Sequence, residues 1–175
     1  LLGRSIEAVA TGATYLAAQL EGIPRTFDEF AQVSRVERAA IRHAQSAIDK
    51  KLNLPIEPTT PEVYIPRFAN NLDVSERVVT EAKRLTDHLS KTNHISGRKP
   101  SALAAVALYT ASITLGTQMT QNTVDESGLA SEVTVRNTYK LFLDADPTCE
   151  YTLEELESMN SAEIKAELSP DPTNK

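Results

Sequence analysis

A shift of 94 residues lays positions 3–48 on positions 97–142 without a gap, and this internal repeat constrains the fold more than any single motif does. The identities are Gly3/Gly97, Arg4/Arg98, Ala8/Ala102, Ala10/Ala104, Ala13/Ala107, Tyr15/Tyr109, Ala17/Ala111, Gly22/Gly116, Thr26/Thr120 and Arg42/Arg136. Alanine matches come cheaply in Ala-rich segments, but Gly-Arg, Tyr, Gly and Arg at one fixed offset do not. The helical patterns coincide too: long helix, short helix, turn, long helix. Ahead of its long central helix the second copy carries two more helical patterns, 61–72 and 76–91, for which the first copy has no room. The expectation is one complete five-helix unit following a unit that lacks its first two helices.

Apolar period and caps place the elements. Aromatics make up 5% of the chain, Trp is absent, and Ala, Leu and Glu are plentiful, a balance that predicts an all-α protein. Helices are expected over 3–22, over a short span capped by Thr26 to Val33, and over 37–52. Three prolines, Pro55, Pro58 and Pro61, mark an extended linker. Thr60 then caps a helix with Pro61 at its first position, running to Leu72, followed by 76–91 and a loop at 92–97. The stretch 98–116 is apolar nearly all round and should be a buried central helix. A last amphipathic helix is expected at 151–168, capped by Thr152.

The end of the second copy reads as a helix-turn-helix: a short pattern at 120–127, a turn at Gly128, and a second helix over 131–143. That second helix has two faces. Val135, Tyr139 and Phe142, at i, i+4 and i+7, form a packing stripe. Val133, Arg136, Asn137 and Lys140, at i, i+3, i+4 and i+7, form an outward set that mixes an apolar knob, a guanidinium, an amide and an ammonium. Arg136 can donate to guanine O6 and N7, and Val133 can touch a thymine methyl. In the first copy the corresponding outward face is Ala39, Arg42, His43 and Ser46, so only the arginine is shared.

Charge qualifies a nucleic-acid reading. The formal charge is −6. Residues 144–175 hold nine acids and two bases, or −7, which leaves fifteen acids and sixteen bases, or +1, in residues 1–143. A nearly neutral body permits DNA contact but lacks the basic footprint of a domain that binds DNA unaided.

With these features in place, a family resemblance follows. Gly3-Arg4-Ser5-Ile6-Glu7-Ala8, Glu21-Gly22-Ile23-Pro24-Arg25-Thr26, Val33-Ser34-Arg35-Val36, Tyr64-Ile65-Pro66-Arg67-Phe68-Ala69 and Glu132-Val133-Thr134-Val135-Arg136-Asn137 resemble the core of archaeal transcription initiation factor B, the counterpart of eukaryotic transcription factor IIB. The resemblance covers residues 1–143 in order and implies cyclin-like repeats. On that basis 1–54 is the C-terminal part of a first repeat, 55–60 a linker, 61–146 a complete second repeat, and 147–175 an acidic tail. It further implies a protein that sits on the TATA-binding protein–DNA complex and recruits RNA polymerase, with the second helix-turn-helix reading the B-recognition element of promoter DNA. The DNA-facing positions would be Val133 and Arg136, with Thr134, Asn137 and Lys140 beside them and Arg98 and Arg4 at phosphates. Arg38, Gln19 and Glu21 would meet the TATA-binding protein. The sequence departs from the family pattern in lacking a zinc ribbon, a polymerase-reader segment and the first two helices of repeat one. It also carries Gln19, Leu20 and Ala39 where relatives often have basic residues. The acidic balance resembles that of proteins from salt-loving archaea, with the archaeal cytoplasm as the expected location.

Two other functions compete. One is a cyclin-like module that binds proteins and no DNA, since the five-helix unit alone does not separate the two. The other is a truncated factor that occupies promoters without recruiting polymerase. No enzyme is expected, because no Ser/His/Asp set or paired carboxylates appear in a plausible arrangement. No cofactor, metal or small-molecule substrate is expected either. His43, His88 and His94 share no ligand spacing, Cys149 is the sole cysteine, and Gly97-Arg98-Lys99-Pro100-Ser101 lacks the upstream glycine and strand of a phosphate loop. The longest apolar run, 102–111, is far short of a membrane span.

Overall fold

The computed structural model describes residues 3–23, 25–56, 58–91, 97–117 and 119–145. Most of the loop expected at 92–97, and all of the helix expected at 151–168, lie outside them. Among the described residues there are eight α-helices, one short 3-10 turn and no strand, as the composition predicts. The chain divides into two compact units, Leu1–Thr59 and Thr60–Lys175.

The first unit holds α1 (Ile6–Leu20), α2 (Phe27–Val33) and α3 (Arg38–Leu52). Ser5 opens α1, its Oγ accepting the Ala8 amide at 3.1 Å. Thr26 and Glu29 form a reciprocal capping box on α2: the Thr26 hydroxyl accepts the Glu29 amide at 3.1 Å, and the Glu29 carboxylate accepts the Thr26 amide at 2.7 Å. Packing between α1 and α3 is close because α1 presents Gly12 to Ala44 and Gln45. Tyr15 stacks on Phe27 of α2 with ring centroids 4.2 Å apart and meets Phe30 edge-on.

The second unit runs from a 3-10 turn (Pro61–Val63) through α4 (Ile65–Leu72), α5 (Glu76–Lys91), α6 (Pro100–Thr114), α7 (Gln121–Glu126) and α8 (Glu132–Ala145). The single helix expected over 61–72 is therefore two pieces. Pro66 has no N–H to bond the Glu62 carbonyl, and its ring would collide with that group in a continuous helix. The chain makes one tight turn, Tyr64 N–H to Pro61 O at 3.0 Å, and restarts with Phe68 N–H to Tyr64 O at 3.0 Å. Thr60 precedes this turn without a side-chain cap bond.

Helix α6 is the axis of the second unit. Residues 103–112 are all buried, and α4, α5, α7 and α8 pack on it. Its buried hydroxyl at Thr110 is satisfied by the Val106 carbonyl at 2.9 Å. The matching helix of the first unit is packed within that unit by α2 and α3 alone. Ala10, Ala13 and Thr14, which match buried Ala104, Ala107 and Leu108, are exposed there, and Ile6 is 85% exposed. The buried face of α1 is Ala8, Gly12, Tyr15 and Leu16, while Ile6, Ala10, Ala13, Ala17 and Leu20 have no helix to cover them in this unit.

The seam at Gly12 gives a direct test. A Cβ there would lie 2.9 Å from the Gln45 backbone nitrogen and 3.0 Å from the Ala44 Cβ. Gly12→Val should force α1 and α3 apart and cost about 1–3 kcal/mol, the range for overpacking a close seam. The reverse change at the matching position of the second copy, Val106→Gly, should lower stability by opening a cavity. Denaturant melts of both variants check the pair, and an unaltered midpoint for Gly12→Val would show that the seam relaxes freely.

Candidate nucleic-acid interface

The helix-turn-helix forms because its two helices share a small apolar contact and a short, capped connection. Val124 of α7 and Val135 of α8 are fully buried, as is Phe142, while Tyr139 of α8 meets Tyr109 of α6 edge-on at 5.8 Å. Thr120 caps α7, accepting the Thr123 amide at 3.1 Å. The turn then closes with Gly128 N–H to Asp125 O at 2.8 Å. Gly128 has φ 71°, a conformation that glycine adopts without a Cβ penalty. Ser131 opens α8: its Oγ accepts the Thr134 amide at 3.3 Å and lies 2.8 Å from the Thr134 hydroxyl.

This packing fixes which residues α8 turns outward. Val135, Tyr139 and Phe142 face the core, so Val133, Arg136 and Asn137 are exposed and Thr134 and Lys140 half-buried. Val133 is 61% exposed and stands on the same face as Arg136. Val133, Arg136, Asn137 and Lys140 thus share one helix face, whereas the Thr134 hydroxyl is engaged at the helix start.

Three residues that the sequence reading passed over shape this face. Asp125 of α7 accepts the backbone amide of Glu132, the first residue of α8, at 3.2 Å and so ties the two helices at the turn. Glu132 in turn holds Arg136, Oε1 to Nη2 at 2.5 Å, with side chains 44% and 57% exposed. In that solvated setting the pair adds only about 0.3–0.5 kcal/mol to the helix. Thr138, buried on the far side of α8 from Arg136, takes a hydrogen bond from Arg98 Nη1 at 3.3 Å. The Glu-to-Arg spacing of four residues was visible in the sequence. The Arg98–Thr138 link, spanning forty residues, carried no local signal.

Arg98 therefore braces the start of α6 against α8 rather than standing free on the outward face. Arg4, its match in the first unit, is exposed, and the position matching Thr138 is Ala44, which offers no hydroxyl. Of the other first-unit residues, Arg38 pairs with Asp28 at 2.9 Å, Gln19 Nε2 reaches the Thr59 hydroxyl at 3.4 Å, and Glu21 is exposed at the end of α1. Among the described residues no group of three or more His, Cys, Asp or Glu side chains is placed to hold a metal ion, and no helix is long and apolar enough to cross a membrane.

Comparison with known proteins matches this architecture to one family. The family model described as "Transcription factor TFIIB repeat" matches residues 1–51 and again 55–145. The chain is 40% identical over 143 residues to Transcription initiation factor IIB 3 of Halobacterium salinarum, covering 82% of this chain and 45% of that protein. It is 42% identical over 148 residues to Transcription initiation factor IIB 6 of the same organism, covering 85% of this chain and 46% of the relative. It is also 42% identical over 149 residues to Transcription initiation factor IIB of Methanococcus maripaludis, covering 83% of this chain and 44% of the relative. The chain thus spans slightly less than half the length of these relatives.

The tie between α7 and α8 predicts a local effect. Asp125→Ala removes the acceptor for the Glu132 amide. Exchange of that amide with solvent should then quicken about fivefold, the effect of losing one helix-start cap, with Asp125→Asn retaining most of the protection. Amide hydrogen exchange followed by NMR measures it; equal protection in Asp125→Ala would leave the tie without energetic content.

Proposed function

The chain belongs to the transcription factor TFIIB family, and from that membership we propose that it is the core of a general transcription initiation factor. The family is one of transcription factors rather than enzymes, so the mechanism is assembly. In this reading residues 1–54 are the C-terminal part of one cyclin-like repeat, 55–60 a linker, and 61–146 a complete second repeat. The protein docks on promoter DNA already held by the TATA-binding protein, reads the B-recognition element with α8, and helps to recruit RNA polymerase.

One observation carries the DNA reading: Val133 and Arg136 stand exposed one turn apart on a helix-turn-helix whose inner face is buried. A guanidinium and a branched apolar side chain at that spacing suit a guanine edge and a neighbouring thymine methyl in the major groove. Asn137 and Lys140, with Thr134 at the helix start, flank them as contacts to phosphate and sugar. Arg98 and Arg4 add phosphate contacts at the two helix starts, Arg98 while braced on Thr138. Gln19, Glu21 and Arg38 form the side offered to the TATA-binding protein, where the ion pair of Arg38 with Asp28 is solvent-exposed and opens at small cost.

Residues 1–143 carry a net charge of only +1, so affinity for DNA alone should be weak and recruitment should depend on the partner-held complex. Arg136→Ala should lose about 1–3 kcal/mol of binding on a cognate upstream element and little on a scrambled one. Equal losses on both duplexes would reduce Arg136 to a phosphate contact. No binding to either duplex by the unmodified chain, even with the TATA-binding protein present, would favour the cyclin-like protein-binding module instead.

A further inference from the structure

The carboxylate that grips Arg136 belongs to one copy of the repeat and not to the other. At the positions matching Glu132 and Arg136 the first copy has Arg38 and Arg42, two cations where the second copy has an acid and a cation. Arg38 turns to Asp28 of α2, and Arg42 has no carboxylate four residues before it. In the second copy the backbone of Glu132 is tied to α7, because the Asp125 carboxylate accepts its amide at 3.2 Å. The acid is therefore held at the one exposed helix face to which base reading is assigned above.

We propose that Glu132 is a positioning and specificity-determining residue for that face, holding Arg136 in one orientation and penalising docking where no guanine awaits it. The proposal rests on the reading of Arg136 as a base contact. An exposed pair at this spacing stabilises a helix only slightly, so its main consequence lies in how Arg136 meets a ligand. The guanidinium is planar, with five N–H donors in a fixed fork. A carboxylate on Nη2 removes rotational freedom that Arg136 would otherwise lose on docking, and leaves Nη1, Nε and the second Nη2 hydrogen for guanine O6 and N7. On a duplex without that guanine the arginine gains no base contact, yet the carboxylate still enters the field of the phosphates. The same group thus favours the right sequence and opposes the wrong one.

The test measures binding of the full chain to a TATA-binding protein–DNA complex on two duplexes. One carries a guanine-containing element upstream of the TATA box, and the other carries that element scrambled. Glu132→Gln removes one charge that repels phosphate on either duplex and should tighten binding to the scrambled duplex about fivefold; on the cognate duplex the lost restraint on Arg136 offsets that gain, leaving a change of less than about twofold. Glu132→Asp keeps the charge on a side chain one methylene shorter, and should weaken cognate binding about threefold with no change on the scrambled duplex. Equal changes on both duplexes for Glu132→Gln, or no change for either variant, would overturn the proposal. A variant that melts early would assign Glu132 to helix stability and overturn it as well. Arg136→Ala in the same assay separates the two claims: equal losses refute base reading itself. A loss confined to the cognate duplex, alongside unresponsive Glu132 variants, refutes only the positioning role.

Discussion

A helix that is apolar on every side can exist in water only if other helices wrap it, and in the second unit that helix is α6. Residues 103–112 are buried without exception, so α4, α5, α7 and α8 are arranged by the need to cover them. The orientation of α8 follows from this. Its stripe of Val135, Tyr139 and Phe142 is spent on α6 and its neighbours, which leaves Val133 and Arg136 nowhere to go but outward. The outward face of α8 is the by-product of a packing requirement.

The repeat shows how one scaffold is put to different uses by small substitutions. Gly12 and Ala44 make a close seam in the first copy, where the second has Val106 and Thr138. The added volume and hydroxyl in the second copy let Arg98 clasp α8, a contact that Ala44 cannot make with Arg4. The matched tyrosines diverge in the same way. Tyr15 stacks on the short helix α2, whereas Tyr109 turns its edge to Tyr139 of the long helix α8. Packing in the first copy secures the short helix, and packing in the second secures the helix that carries the outward arginine.

Much of this was legible in the sequence because the signals were local. The capping residue Thr26 announces α2, and the apolar period identifies the buried face of α8. The stretch 61–72 misled because Pro61 fits the start of a helix, while the break belongs to Pro66, whose missing N–H matters only for a helix that has already begun. The outward set on α8 is visible from spacing, as is the one-turn interval from Glu132 to Arg136, but that the two side chains pair depends on how α8 is turned by its packing. Asp125 and the Arg98–Thr138 clasp lay beyond sequence reading, since each depends on where one helix ends relative to another.

The bond from Asp125 to the first amide of α8 has a kinetic meaning. A recognition helix whose first turn frays in solution must order itself during each encounter, and many encounters then end before it does. Here the start of the helix is tied to α7, its far side is tied through Thr138, and Arg136 is held by its neighbour Glu132. In the proposed DNA complex, association then requires orientation rather than ordering of the helix start, so differences between sequences are expressed in how long the protein stays rather than in how quickly it arrives.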